Sequence, residues 1–332
     1  MTNAEKIKQL FDENRPVMLG GIAKELGISA LEAAHLLPEG VATFAPGAAF
    51  DHVWESIATW EKATFIVEHM GNVFEVSTPV ALGKHAMGYY NIMGGKAPLE
   101  GHFKADLVRE IGFISIPFMG RESHFAAFFN HDGDIMYSFY VGREKHVLIP
   151  EARDAFLALK DSYKNPKTLI VYSSQTGNTK KIAEAVCKGA PCCVFSNVDE
   201  APSPDAFDKI FVGFWIDKGL VDEKARAYLD RIQGKVVAPF CTMGGNPEEA
   251  RAKAFVEKFE ADLVSSDKGN TYKKLFVSQG KVADEVIEAM NRMLGDKAND
   301  PARLERLAEA AKHPDKNDCR RASDWAATVI GE

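Results

Sequence analysis

Apolar and polar residues alternate with period two through residues 60–150, whereas after residue 167 short unbroken apolar runs alternate with amphipathic stripes. In the first stretch, Thr64-Phe65-Ile66-Val67 and Val73-Phe74-Glu75-Val76 flank a Met70-Gly71-Asn72 turn. Residues 123–130 and 135–141 flank His131-Asp132-Gly133-Asp134, where Asp-Gly marks a tight hairpin because glycine accepts positive φ. Residues 101–108 and 113–118 supply two more strands. Period-two alternation turns one face of each strand to a core and the other to water, so this stretch predicts a largely antiparallel sheet. Residues 1–57 read as a small helical part ahead of it, and residues 151–162 as a connecting helix. Lys164-Asn165-Pro166-Lys167 reads as a linker, since proline stops a helix.

The second stretch has a different grammar. Apolar strands at 168–172, 209–214, 235–241 and 274–277 alternate with helices at 179–188, 222–233, 248–259 and 282–294. That alternation predicts a doubly wound parallel sheet. The charged tail, residues 296–332, reads as two further helices. The chain therefore divides into residues 1–163, a linker at 164–167, and residues 168–332, consistent with its 332 residues.

Ile22 to Leu37 also has the outline of a helix-turn-helix, with Gly27 at the turn and Ser29 as N-cap. Its second helix, Leu31-Glu32-Ala33-Ala34-His35-Leu36, carries no Lys or Arg to meet phosphates or guanine, and the formal net charge is −7. Nucleic acid is therefore excluded as a partner. No apolar run reaches the roughly 20 residues that span a bilayer. The N-terminus lacks a signal-peptide core, which predicts a cytoplasmic, non-membrane protein. The five cysteines form no C-x-x-C pair and read as free thiols. Eight of the nine histidines precede residue 150, so the two halves hold different chemical resources.

In a doubly wound sheet, ligands bind at the carboxyl ends of the strands. The first such loop is Ser173-Ser174-Gln175-Thr176-Gly177-Asn178-Thr179. Its hydroxyls, its N–H groups and the helix start behind it suit a phosphate dianion. It has neither the lysine of a Walker A loop nor the spacing of G-x-G-x-x-G. The second loop is Gly213-Phe214-Trp215-Ile216-Asp217-Lys218-Gly219, where Trp215 can lie over a flat conjugated ring. The third is Cys241-Thr242-Met243-Gly244-Gly245-Asn246, whose glycines admit the edge of such a ring. These loops resemble those of the flavodoxin family over about residues 167–295. The resemblance implies a five-stranded flavodoxin-like domain holding FMN, with the phosphate in the first loop and the ring between the other two. "GFWIDKG", "SQGKV" (residues 278–282) and "HPDKND" (residues 313–318) resemble a divergent branch of that family. Classical members often place a tyrosine in the third loop; this chain has Met243, which leaves one ring face open.

A haem needs apolar surface, one or two axial ligands, and cations for its propionates. The first half offers His69, His85, Met87, Tyr89, Tyr90, His102 and His124, with Lys84, Lys104 and Arg121 nearby. "VWESIATWEKATFIVEHMGNVFEV" (residues 53–76), "MGYYNIMGGKAPLEGHFKADLV" (residues 87–108) and "PFMGRESHFAAFFN" (residues 117–130) resemble the cytoplasmic haem-utilisation carriers of the HutX/ChuX type, over residues 15–160. The resemblance implies an α+β haem-binding domain, often dimeric. It leaves the haem iron to His102 or His69, then Tyr89, and a propionate to Arg121. Relatives often have histidine where this chain has Met87.

Joined in one chain, the two resemblances imply an FMN-dependent oxidoreductase acting on haem. FMN would deliver electrons to haem for reductive, oxygen-independent degradation and iron release, with an upstream reductase or ferredoxin as donor. The alternative is a non-enzymatic haem carrier whose flavodoxin domain supplies electrons to a separate haem-processing enzyme. A homodimer is expected in either case.

Overall fold

The computed structural model describes residues 1–13, 18–93, 98–266 and 268–332. Residues 15–17 and 94–97, which belong to the segments carrying the haem-carrier resemblance, lie outside the described residues. The chain forms two compact units, Met1–Asn165 and Pro166–Glu332.

The first unit opens with three short helices whose ends are written in the sequence. Thr2 and Glu5 form a capping box on α1 (Asn3–Asp12), α2 (Leu19–Leu26) stops at Gly27 in the left-handed region, and Ser29 with Glu32 caps α3 (Ala30–His35). Each cap satisfies N–H groups that the first helical turn leaves open. The apolar stripes of these helices, including Ile7, Leu10, Ile22 and Leu31, pack on Ile114, Ile116, Phe125, Ala127 and Phe129 of one sheet face.

That sheet is antiparallel. It is built from β1 (Ala42–Pro46), then, after α4 (Phe50–Ala58), β2 (Ala63–His69) and β3 (Asn72–Thr78). A small sheet of β4 (Lys84–Ala86), β5 (Tyr89–Ile92) and β6 (Gly101–Phe103) follows. The chain returns to the main sheet with β7 (Glu110–Ser115), β8 (His124–Phe129) and β9 (Ile135–Val141). The short β10 (Arg143–Glu144) and β11 (Val147–Leu148) lead into α5 (Pro150–Ser162). The main order is β1-β7-β8-β9-β2-β3. The second face of this sheet is aromatic: Trp54 packs on Phe139 at 5.1 Å and on Phe103 at 4.8 Å, while Phe65 and Tyr137 meet Phe103 at 5.8 and 5.2 Å. These contacts seat β6 on the main sheet.

Two expectations change. Residues 1–57 are not wholly helical, because Ala42–Pro46 adds an edge strand to β7. The strand expected over residues 101–108 ends at Phe103, and Ala105–Leu107 forms a 3-10 turn. Beyond that turn the chain passes tightly against Gly47, where a Cβ would stand 1.8 Å from the Val108 carbonyl oxygen.

The second unit begins with β12 (Thr168–Tyr172), α6 (Asn178–Gly189) and β13 (Cys193–Asn197). A 3-10 turn, Pro204–Ala206, replaces a helix before β14 (Lys209–Asp217), which folds back through β15 (Leu220–Val221) into α7 (Glu223–Leu229). Then come β16 (Val236–Met243), α8 (Ala250–Ser265), β17 (Thr271–Tyr272), β18 (Phe276–Gln279), α9 (Asp284–Leu294), α10 (Pro301–Ala310) and α11 (Lys316–Gly331). The parallel order is β13-β12-β14-β16, with β17 and β18 sharing the position beyond β16. This is a five-stranded doubly wound sheet. Its strand order reverses between β12 and β14, where such sheets open a crevice. β13 lacks a sequence expectation because only Cys193, Val194 and Phe195 of its five residues are apolar and most of the strand is half-buried, unlike the solid core strands. The tail finds its place through α11: Trp325 packs on Phe211 and Phe276 at 5.5 and 5.3 Å. Gly189 lets α6 approach, since a Cβ there would stand 2.1 Å from the Ser323 carbonyl oxygen.

Candidate functional site

Four loops leave the carboxyl ends of β12, β14, β16 and β18 and enclose one cavity. It is lined by Gln175, Thr176, Asn178 and Thr179; by Trp215 and Ile216; by Thr242, Met243 and Gly244; and by Gly280, Lys281, Val282, Ala283 and Val286. Gly177, at φ 88°, makes the left-handed step that starts α6. Ser174 Oγ accepts from the Lys180 N–H at 3.2 Å. Asn178 Nδ2 donates to Thr176 Oγ1 at 3.1 Å and to the Lys281 carbonyl at 2.9 Å, tying the first loop to the fourth. Thr179 and Thr242 share a buried hydroxyl–hydroxyl bond of 2.9 Å, tying the first loop to the third. Asp222, almost wholly buried, accepts from the Trp215 N–H at 3.3 Å and caps α7 through Ala225 N–H at 3.1 Å, so the Trp215 backbone is fixed from below.

Close approach decides two glycines. A Cβ on Gly244 would stand 2.4 Å from Val282 Cγ2, and one on Gly280 would stand 2.9 Å from Asn178 Nδ2. The loops therefore interlock before any ligand arrives. The lining includes hydroxyls, an amide and a helix N-terminus, which fit a phosphate ester. It also includes Trp215, Ile216, Met243, Val282 and Val286, which fit a flat ring.

The remaining expected residues lie as follows. Ser173 is buried and its N–H donates to the Gly213 carbonyl at 2.9 Å. Gly213 serves packing, because its Cβ would stand 2.3 Å from the Phe240 ring. Phe214 is wholly buried against Phe259 and so is core rather than cavity wall. Lys218 and Gly219, both at positive φ, make the exposed turn that pairs Asp217 with Leu220. Gly245 sits beside Gly244 with open space around it. Gly280–Ala283 and Val286 were not among the expected site residues. The rule that placed the first three loops, ligands at strand carboxyl ends, applies equally to the strand expected at residues 274–277.

In the first unit the structure brings Tyr89, His102 and Lys104 together on the small sheet. The rings of Tyr89 and His102 are 5.9 Å apart, and Lys104 Nζ lies 4.6 Å over the Tyr89 ring. His102 pairs with Asn91 across β5 and β6, and its Nδ1 is 2.6 Å from Asn91 Oδ1. Asn91 Nδ2 donates to the carbonyls of Lys84, Ala86 and Tyr89 at 3.1, 3.0 and 3.0 Å. The amide is thereby oriented and its oxygen must accept. With the amide so oriented, His102 Nδ1 is the donor of the pair, which leaves Nε2 as the ring nitrogen open to a metal.

His69 ends β2 opposite Asn72, at the Met70–Gly71 turn, and is exposed on the same strand face as Phe65 and Val67. Among the described residues, no contact joins it to the Tyr89–His102 pair. Arg121 closes an exposed turn, exchanging backbone hydrogen bonds with Phe118 at 2.9 and 3.0 Å. Met87 is 96% exposed in a positive-φ turn. Three other candidates are committed to structure. His85 Nε2 is 2.6 Å from Asp51. The Tyr90 hydroxyl accepts from Gly83 N–H at 2.8 Å. His124 bonds Ser115 at 2.9 Å and Glu122 at 2.8 Å, and burial pushes its pKa down.

Comparison with known proteins separates the same two halves. The haem utilisation ChuX/HutX family model matches residues 43–159, and a flavodoxin domain model matches residues 169–327. The chain is 35% identical over 161 residues to the intracellular heme transport protein HutX of Vibrio cholerae, covering 48% of this chain and 83% of that one. It is 31% identical over 172 residues to the flavodoxin-like domain-containing protein BilS of Clostridioides difficile, covering 49% of this chain and 96% of that one. The crystal structure of ChuX is 30% identical, covers 49% of this chain and 98% of its own, and gives a TM-score of 0.45. The chain belongs to the ChuX/HutX haem-utilisation family over its first half and to the flavodoxin family over its second.

Proposed function

We propose that the chain is a haem-binding flavoprotein in which FMN delivers electrons for reductive, oxygen-independent haem degradation with release of iron. The observation that carries this reading is the union in one chain of a ChuX/HutX half with a flavodoxin half whose four cavity loops are interlocked. Ser174, Thr176, Asn178, Thr179 and the start of α6 would hold the FMN phosphate, and Trp215, Met243, Gly244 and Gly245 would hold its ring. His102 would hold the haem iron, with His69 and Tyr89 as the alternatives, and Arg121 would meet a propionate. When bound, FMN supplies one-electron transfer and haem supplies the redox-active iron. Residues 164–167 join the two halves covalently, and a short flexible tether that can span two sites raises their effective concentration to roughly millimolar. The protein works in the cytoplasm as a homodimer and draws electrons from a reductase or ferredoxin.

A second reading is supported by one specific observation: Tyr89 and His102 are exposed, as a group that hands its ligand on would be. Here the first half carries haem, and the second half supplies electrons to a separate haem-processing enzyme. One experiment separates the two. The full chain is loaded with FMN and hemin and the flavin is reduced without oxygen, while the Soret band and chelatable ferrous iron are followed. Loss of the Soret band with stoichiometric iron is expected. A Soret band that shifts to the ferrous position and persists, with no free iron, rules out self-contained degradation and leaves the carrier.

A further inference from the structure

The segment "HPDKND", residues 313–318, takes no part in the cavity, yet it is bonded to it. Lys281 lines the cavity and is held on both sides through its backbone. Its carbonyl accepts from Asn178 Nδ2 at 2.9 Å, and its N–H donates to the His313 carbonyl at 3.0 Å. Asn178 also donates to Thr176 Oγ1. A hydrogen-bonded path thus runs from the phosphate loop, through the Lys281 peptide, to His313.

His313 is itself fixed. Its Nδ1 lies 2.5 Å from Asp318 Oδ2, which also accepts from Asp315 N–H at 2.9 Å. The other Asp318 oxygen accepts from Arg321 at 2.8 Å, and Lys181 of α6 donates to the Pro314 carbonyl. Asp318 is 5% exposed. His313, Asp315 and Asp318 place ligand-type atoms within 4.8 Å of one another. Asp315, however, caps α11, and Asp318 is consumed by His313 and Arg321, so the cluster is an ion pair rather than a metal site.

We propose that residues 313–318 form a latch, in which His313 and Asp318 position the Gly280–Ala283 loop and so the flavin cavity without touching the ligand. This rests on the flavin reading above. Both are positioning residues. Removing the ion pair loosens the turn and frees the Lys281 N–H, so the fourth loop keeps its bonds to Asn178 and Met243 but loses its tie to the tail. The Asp318 carboxylate holds the imidazolium of His313 above its ordinary range. Glu309 faces its Nε2 from α10 at 3.7 Å, with Lys312 bonded to that same glutamate. Asp315 and Arg321 face the pair from α11, Lys181 from α6, and Lys281 from the loop, its ammonium bonded to Asp284. A raised folded value means that the charged pair is complete below the ordinary histidine value and is lost as pH rises through the raised one. Flavin affinity should therefore fall over that window in the unaltered chain.

The test uses the full apo chain, titrated with FMN by flavin fluorescence at pH 6 and pH 8.5, beside His313→Gln, His313→Ala and Asp318→Asn. Amide hydrogen exchange at Lys281 is followed without flavin. His313→Ala and Asp318→Asn should weaken FMN about 10-fold at pH 6, the value of one charge-assisted hydrogen bond. Both should also speed exchange at Lys281 while the α6 amides stay protected. His313→Gln keeps a donor and should fall between, without the pH dependence. Variants that bind FMN as tightly as the unaltered chain overturn the latch even if Lys281 exchange changes. An unaltered chain that takes up no FMN overturns the flavin reading, and the latch with it.

Discussion

In the second unit, the polar groups that line the cavity are bonded to one another across loops: Thr179 to Thr242, Asn178 to Thr176 and Lys281. In the first, among the described residues, His102 is bonded on one side, to an Asn91 whose amide group donates to backbone carbonyls, and its ring stands exposed. The cavity is organised by four elements distant in sequence, so its geometry survives the loss of any one contact better than its affinity does. On the small sheet, His102 is oriented by one side chain, Asn91. A ligand held there depends on a single tautomer, whereas a ligand in the cavity depends on several donors at once. Closed loops suit a resident group, and an exposed imidazole on three short strands suits one that comes and goes.

The largest effect that would break this comparison is at the phosphate loop. Ser174→Ala with Thr176→Ala removes two donors to a phosphate dianion, each about 1.5–3 kcal/mol, so FMN should weaken by roughly 100-fold or more. Hemin binding, read from the Soret band, should not move. Equal loss of both ligands would mean that the two halves do not bind separately.

Next in size is the imidazole. His102→Ala should change the Soret position and weaken hemin. Asn91→Leu, which touches no iron, should weaken it by roughly 10- to 100-fold through loss of the fixed tautomer. If His102→Ala leaves the Soret band untouched and His69→Ala or Tyr89→Phe shifts it, the axial atom lies elsewhere in the unit.

These two sites differed in how legible they were. The phosphate loop is a contiguous stretch, so Ser174 to Thr179 could be read from residue types and from the strand before them. The fourth loop was missed because its chemistry is backbone: Gly280 and Lys281 contribute close approach and a carbonyl, which composition does not display. Phe214 read as cavity wall because it adjoins Trp215, but neighbours in a strand point to opposite faces. In the first unit residue type offered several histidines and tyrosines, and only the family resemblance narrowed them to His102, His69 and Tyr89. The meeting of Tyr89 with His102 depends on the register of β5 and β6, and on Asn91, a residue that carries no signal of its own. The helical reading of residues 1–57 missed β1, because a five-residue edge strand gains its stability from β7 and not from its own pattern.

The two units should also answer pH in opposite directions. Burial holds His52 and His124 of the first unit below the ordinary histidine value of 6.5. A depressed value means stability that is full above 6.5 and lost as pH falls through the folded value. His313 of the second unit is raised from the same 6.5 by its bond to Asp318. Its contribution is full below 6.5 and is lost as pH rises through the folded value. Acidification from pH 7.5 to 5.5 should thus weaken the first unit relative to the second, measured by hydrogen exchange at β8 against α11. Parallel changes in both would remove the histidines as the cause.

The smallest effect concerns a hydroxyl that has nothing to bond. Tyr137 is 6% exposed, and among the described residues its hydroxyl has no hydrogen-bond partner. Its ring is enclosed by Phe103 at 5.2 Å, Phe128 at 4.8 Å and Phe65 at 5.9 Å, beneath the strand that bears His102. Burial without a partner pushes its pKa up, so it stays a neutral donor. Leaving such a group unpaired costs about 1–3 kcal/mol, whereas phenylalanine would fill the same space without that cost. Tyr137→Phe should therefore stabilise the apo chain by about 1 kcal/mol, a rise of roughly 2–4 °C in the melting of the first unit. Hemin affinity should be unchanged, since the surrounding rings leave the hydroxyl no path to a ligand on the exposed side of β6. If the variant instead melts lower, or binds hemin more weakly at unchanged stability, the hydroxyl has a partner in the bound state, and the contrast between a paired cavity and an unpaired sheet would hold only for the empty protein.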